Sequence, residues 1–319
     1  MTDYRYSLER GRLKYACPAC GKIRFVRYVD TSTGEQVADG VGRCDREDSC
    51  GYHLTPKEYF LLTGKNPSGS VSIPARKREP VPEPEPSFID AVLMHASLRS
   101  YEQNNFCRWL CSVFGEQKAF ELTAAYQVGT SKHWVGSSVF WQIDRIGRIR
   151  AGKVMLYNND TGRRVKEPFN HIQWVHKVIK IEPYHLQQCF FGEHLLSVET
   201  IKPVAIVESE KTAVVASGYI PEFVWLASAG KNNLNTEKLK ILQGRAVKLF
   251  PDLGAFEKWK AIVAGMPGVT VSDVLERRAT EAERAAGYDL ADYLLRDNKP
   301  AMTTRTADEF FNNNPTLKP

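Results

Sequence analysis

Nowhere does the 319-residue chain contain a run of about 18 apolar residues, so no segment is long enough to span a bilayer as a helix. Its start, MTDYRYSLERGRLKYACPACGK, is too polar and charged for the apolar core of a secretory leader, and the expected location is the cytoplasm. Strong charge imbalance is also missing: 43 Lys and Arg against 37 Asp and Glu leave +6, only a weak pointer to a polyanionic partner. No internal repeat occurs. A G-x-S-x-G nucleophile elbow is absent, and LASAGKNNLN fails as a P-loop because Trp225 stands where glycine is required. With 43% hydrophobic residues the chain can build real cores, and its length suits two or three domains.

The charge that is present is unevenly placed. From Asp144 to Lys180 nine Lys and Arg face three Asp and Glu, an excess equal to the net charge of the whole chain. The seven cysteines, in a reducing compartment, are better read as metal ligands or core residues than as a disulfide framework. Cys17 and Cys20 form the knuckle CPACGK, and Cys44 and Cys50 lie in GRCDREDSCGYH, with His53 close by. Between them KIRFVRYVD and EQVADGVGR flank the turn TSTG, so a β-hairpin brings the two pairs together as a zinc ribbon. Four thiolates suit tetrahedral Zn²⁺ and would supply much of the folding energy of so small a module. The wide gap between Cys44 and Cys50 leaves His53 open as a substitute fourth ligand. Arg24, Arg27, Arg43 and Arg46, with Phe25 and Tyr28 among them, offer guanidinium groups and rings to a single strand. Cys107 and Cys111, one helical turn apart beside Trp109, are read as core, and His171 and His176 lack a metal-binding spacing.

The organisation expected is a zinc ribbon over 1–65, a Pro- and Ser-rich linker over 66–87, a helical and β-meander basic segment over 88–189, an α/β domain over 190–300 and a tail over 301–319. Helical periodicity places two or three helices between Phe88 and Ala125. PVAIVES, FVWLAS, AVKLFPD and VTVSDVL then alternate with helical stretches, the β-α-β series of a parallel sheet flanked by helices. The fold class is therefore α/β, with an N-terminal β ribbon and a central α+β segment.

Acidic residues fall where such a sheet puts its ligands. Glu208 ends the first parallel strand, Asp252 the third, and GYDLADYLL offers Asp289 and Asp292 at the end of the domain. Grouped carboxylates are what Mg²⁺ binds while keeping waters and room for phosphate oxygens. The bland reading is that these acids serve helix N-termini. Lys231, in the loop between the first two acidic stations, can approach phosphate.

Residues 190 to 300 resemble the Toprim domain of primases, topoisomerases and some nucleases. IVESEKTA is similar to its glutamate motif, with Glu208 at the acid and Ser209 where Gly is commoner. PDLGAFEKW resembles the D-x-D motif, with Asp252 at the first Asp and Gly254 in place of the second; Glu210 or Glu257 would have to supply the missing group. GYDLADYLL resembles the downstream acidic segment of primase-like members. VFWQIDRIGRIRAGKVMLYN resembles the template-holding subdomain of the bacterial-type primase core, with Arg148, Arg150 and Lys153 matched loosely. Strict alternation puts Arg148 and Arg150 on one face, and with Trp141, Tyr157 and Trp174 they would make a groove for phosphates and bases.

The order ribbon, basic segment, Toprim resembles bacterial-type primases of the kind carried by mobile elements and plasmids. That resemblance implies template-directed nucleotidyl transfer with Glu208, Asp252, Asp289 and Asp292 as catalytic residues and Mg²⁺ or Mn²⁺ held by the first three. It implies single-stranded DNA and nucleoside triphosphates as partners, a replicative helicase or other replication protein beside them, and no membrane. The rival readings are a Toprim nuclease and a catalytically degenerate single-strand binder.

Overall fold

The computed structural model describes residues 4–9, 13–46, 50–64, 84–230 and 232–298. Lys231, most of the 66–87 linker and the 301–319 tail lie outside the described residues. The chain divides into two compact units, one up to Pro82 and one from Glu83 onward.

In the first unit β1 (Tyr6–Leu8), β2 (Tyr15–Ala16), β3 (Ile23–Asp30), β4 (Gly42–Cys44) and β5 (His53–Leu54) form an antiparallel sheet, followed by α1 (Pro56–Thr63). The turn at 31–34 reverses the chain after β3, and Phe25 pairs with Cys44 across the β3–β4 ladder. A helix start is written into α1: Thr55 caps it, Pro56 opens it, and Glu58 returns the bond to Thr55 as a capping box. The unit's core consists of little more than Cys17, Cys44 and a fully buried Phe25, so its stability must come from elsewhere. Phe25 is thus not available for stacking on a strand, because a module this small needs its ring inside.

The second unit begins with α2 (Ala91–Ser97), α3 (Asn105–Phe114) and α4 (Glu116–Ala125). An antiparallel sheet follows: β6 (Gly129–Thr130), β7 (Ser138–Ile143), β8 (Ile149–Met155) and β9 (Ile172–Trp174), in that order, with α5 (Val175–Val178) after it. Every residue of β7 is buried. One face packs Val139, Trp141 and Ile143 among Ile89, Met94 and Val154; the other sends Phe140 and Tyr157 into the main core. Trp141 and Tyr157 are buried core residues, and Tyr157, with Lys153, Met155 and Ile172, also lines the cleft described below.

The last part carries β10 (Val204–Val207), α6 (Glu210–Tyr219), β11 (Val224–Ala227), α7 (Thr236–Leu239), β12 (Val247–Leu249), α8 (Phe256–Ile262) and β13 (Val269–Val271), then α9 (Val274–Arg278), α10 (Glu281–Ala286) and α11 (Leu290–Asp297). Its four strands are all parallel, in the order β11-β10-β12-β13. β10 and β11 are buried at every residue, as strands covered on both faces must be. Ala213, Val214 and Leu294 pack on one face, Leu239 and Trp259 on the other. Chain order and sheet order part company between β10 and β12: β11 adds on one side of β10, β12 on the other.

Candidate functional site

In the first unit Cys17, Cys20, Cys44 and Cys50 place their sulfurs within 4.8 Å of one another. Sγ of Cys17 is 3.7 Å from Cys50, and Sγ of Cys20 is 4.0 Å from Cys44. A tetrahedron of Zn–S bonds has sulfur–sulfur edges of about 3.8 Å, so the cluster has the size the ion requires. Backbone N–H groups of Lys22, Arg46 and Tyr52 face the sulfurs of Cys20, Cys44 and Cys50. The Lys22 contact holds the Cys20 thiol down at about 6, favouring the thiolate that ligates, while burial and the neighbouring thiols push Cys44 up and Cys50 up to about 11. Geometry and donor set define a structural zinc site. His53 stands outside it, its Nε2 3.0 Å from the Tyr28 hydroxyl and its ring stacked on Tyr28. Arg24 and Arg46 are exposed. Arg27 is engaged by Asp39 at 2.8 Å, by Gln36, and by the Tyr15 ring.

In the second unit the acidic residues gather at the C-terminal edge of the parallel sheet. Glu208 follows β10 and Asp252 follows β12; these strands are paired neighbours, so both carboxylates emerge at the topological switch point. Ser209 caps α6 by accepting from the Thr212 N–H at 3.1 Å. Thr212 in turn donates from Oγ1 to Asp289 Oδ2 at 2.8 Å, fastening the end of the domain to the start of α6. Asp289 and Asp292 form a reciprocal capping box on α11, with bonds of 3.0 and 3.1 Å. Helix capping therefore accounts in part for Asp289 and Asp292. It does not account for Asp252: the side chain of Asp252 caps nothing, and its Oδ1 is sealed from solvent with no hydrogen-bond partner among the described residues.

Glu208, Asp252, Asp289 and Asp292 line one cleft of about 580 Å³ together with Glu210. Burial pushes the Asp252 carboxyl well above the usual carboxylate range, reinforced by the charges of Asp289, Glu208 and Asp292 and opposed by Lys211. Burial and Asp289 likewise raise Asp292. The carboxylates do not crowd as the thiols do. Among the described residues the four cysteines are the one set of three or more ligands whose atoms all lie within 4.8 Å.

The same cleft is lined by Arg163, Arg164, Lys166 and Lys211. None of these cations has a carboxylate at ion-pair distance among the described residues. Arg163, Arg164 and Lys166 come from the excursion between β8 and β9, and their signal in the sequence was the basic run RRVK, visible but not singled out. Lys153 is buried and pairs with Glu210 at 2.9 Å. Arg148 and Arg150 both donate from Nε to Oδ2 of the buried Asp144 at 2.9 Å and both lie over the Phe88 ring. They clamp one carboxylate and do not form an open charged strip. Gly254 has a positive φ of 81° and open space where a Cβ would be, and its N–H donates to Glu276 at 2.7 Å. Of the two substitutes considered, Glu210 lines the cleft, while Glu257 is exposed and is not among its lining residues.

Residues 4–65 match a zinc beta-ribbon finger family, and residues 104–253 match a domain of unknown function (DUF6371), a stretch that includes Glu208 and Asp252. No curated protein matches the chain. Several primase structures are among its structural neighbours. The Escherichia coli primase catalytic core is 13% identical, with 65% of this chain and 81% of that chain covered at a TM-score of 0.40. A DnaG primase catalytic domain bound to single-stranded DNA is 13% identical, covering 72% and 84% at a TM-score of 0.40. The Aquifex aeolicus primase, with zinc-binding and RNA polymerase domains, is 11% identical, covering 91% and 80% at 0.31.

Proposed function

We propose that this chain is a Toprim-type primase that carries out template-directed nucleotidyl transfer on single-stranded DNA with Mg²⁺ or Mn²⁺, in the replication of a mobile element or plasmid. The observation that carries the reading is the meeting of opposites at the sheet's switch point: Glu208, Asp252, Asp289 and Asp292 line one cleft with Arg163, Arg164 and Lys166, none of which has a carboxylate at ion-pair distance among the described residues. The sealed Oδ1 of Asp252 and the all-oxygen donor set fit a hard divalent cation that keeps part of its water shell. Glu208, Asp252 and Asp289 are the residues that would hold it. When bound, the ion supplies charge neutralisation at phosphate oxygens. Arg163, Arg164 and Lys166 bind the phosphates of triphosphate and strand, and the capping box that fixes Asp289 keeps one wall from shifting as they bind. Lys153 lines the cleft and holds Glu210 in place. Arg24 and Arg46 of the ribbon are free for a strand; Lys231, Arg27, Arg148 and Arg150 are assigned at most a supporting contact.

Gly254 favours a second reading, a strand binder that has lost chemistry, since one carboxylate of the motif is absent. Primer synthesis on single-stranded DNA with labelled nucleotides separates the two. Product from the parent and none from Asp252→Ala supports the primase. Strand binding without product leaves the binder, and shortening of the template leaves a nuclease using the same carboxylates.

A further inference from the structure

The excursion that supplies the cleft's cations also holds an aromatic stack at the surface. Phe169 is 53% exposed. Its ring stacks on His171 at 4.2 Å with 22° between the planes, and His171 meets the Trp134 ring edge-on at 5.1 Å. Trp134 is 6.4 Å from Phe169, and His133 leans on Trp134 at 4.3 Å. The stack is anchored from behind: His171 is buried with Nδ1 3.3 Å from the Val165 carbonyl oxygen, and the backbone N–H of Trp134 donates to Ser137 Oγ at 3.3 Å. The outer ring thus presents a supported face to solvent, at no further cost in side-chain ordering when something stacks on it.

Exposed aromatic area alone does not choose a partner; the surrounding charge does. Apart from the exposed Glu167, the charges near Phe169 in the chain are cations: Arg163, Arg164 and Lys166 lie three to six residues before it, and Lys132 adjoins His133. None has a carboxylate partner among the described residues, and Arg164 and Lys166 line the acidic cleft. A ring carried on the same excursion as three such cations is matched by a single-stranded nucleic acid, which offers bare base faces and phosphates together. A duplex offers phosphates but no free base face. We propose that Phe169, backed by His171 and Trp134, is a stacking platform for an unpaired base of a strand whose phosphates pass over Arg164 and Lys166 into the cleft. The proposal rests on the reading of that cleft as a nucleic-acid site.

The test titrates the full chain, without divalent metal or nucleotide, with a labelled oligothymidylate and with a duplex of equal length, following anisotropy and tryptophan emission. Phe169→Ala is expected to weaken single-strand binding by about tenfold while duplex binding changes by less than about twofold, and Phe169→Trp is expected to keep the parent's affinity. The strand should quench tryptophan emission in the parent, and Trp134→Phe should lose that quench. Unchanged single-strand affinity in Phe169→Ala, equal losses on both nucleic acids, or failure of Phe169→Trp to bind would each overturn the platform. Because the assay needs no catalysis, the platform can fail while the parent still makes primer, and can stand where no primer is made.

Discussion

Nζ of Lys153 lies 2.9 Å from Oε1 of Glu210 and also donates to the carbonyl oxygen of Ala229, a residue held at a positive φ of 63°. Both side chains are nearly sealed, at 11% and 5% exposure. The contact ties the antiparallel sheet to the start of α6 and to the loop after β11, so one ammonium joins three elements around the cleft.

Breaking that pair leaves a buried charge alone. Lys153→Met is expected to cost about 3–5 kcal/mol in urea unfolding, and Lys153→Met with Glu210→Gln to recover most of it. A single variant that loses less than about 1 kcal/mol would show that water reaches the pair.

Asp144 should matter most in its ionised form. Burial alone would raise its carboxyl, but the Arg148 N–H and the two guanidinium groups together hold it below the ordinary 3.8. Its contribution is therefore present above that value and lost as pH falls through the lower folded value. Asp144→Asn is expected to destabilise by about 1–2 kcal/mol at neutral pH, with the gap to the parent closing in acid. Thermal melts across the acid range check this, and a gap independent of pH would contradict it.

Asp252 has the opposite sign. Its carboxyl is raised, so the metal-free fold is favoured at low pH and loses stability as pH rises through the folded value. Asp252→Asn is expected to raise the neutral-pH melting temperature of metal-free protein by a few degrees, while abolishing any stabilisation by Mg²⁺ or Mn²⁺. A lowered melting temperature would mean that the charge is compensated.

Zinc should be inseparable from the fold of the first unit. Cys44→Ser, or chelation of the parent, is expected to release about one equivalent of zinc and to melt that unit while leaving the second folded. Zinc release without loss of ribbon amide dispersion by NMR would contradict a structural role.

Gly254→Asp supplies the carboxylate that the D-x-D pattern lacks, in open space. Its positive φ makes the substitution cost about 1 kcal/mol. Calorimetric titration is expected to show tighter Mg²⁺ binding than in the parent, and unchanged affinity would mean that position 254 does not face the ion.

The zinc ribbon was readable because its ligands are local pairs with a hairpin between them, and the bond lengths leave little freedom. The parallel sheet was readable from wholly apolar strands alternating with helical stretches, and Glu208 and Asp252 from their places at strand ends. The central sheet was misjudged for a physical reason: alternation reports which residues share a face, not whether that face is wet. Trp141 and Phe25 invited a binding reading, yet both are core residues, while Tyr157 is buried and still borders the cleft. His53 stood near the cysteines in sequence but turns to Tyr28.

What the sequence determined by itself is what depends on neighbours along the chain: the thiol pairs, the strand and helix periods, the caps at Thr55 and Asp289, and the run of cations from Arg163 to Lys166. What only the tertiary structure decided is which charges meet. Asp144 claims Arg148 and Arg150, Glu210 claims Lys153, and Arg163, Arg164 and Lys166 have no carboxylate partner among the described residues. Coulomb energy and desolvation depend on distance and burial in space, and residues far apart in the chain acquire both only when the sheets pack.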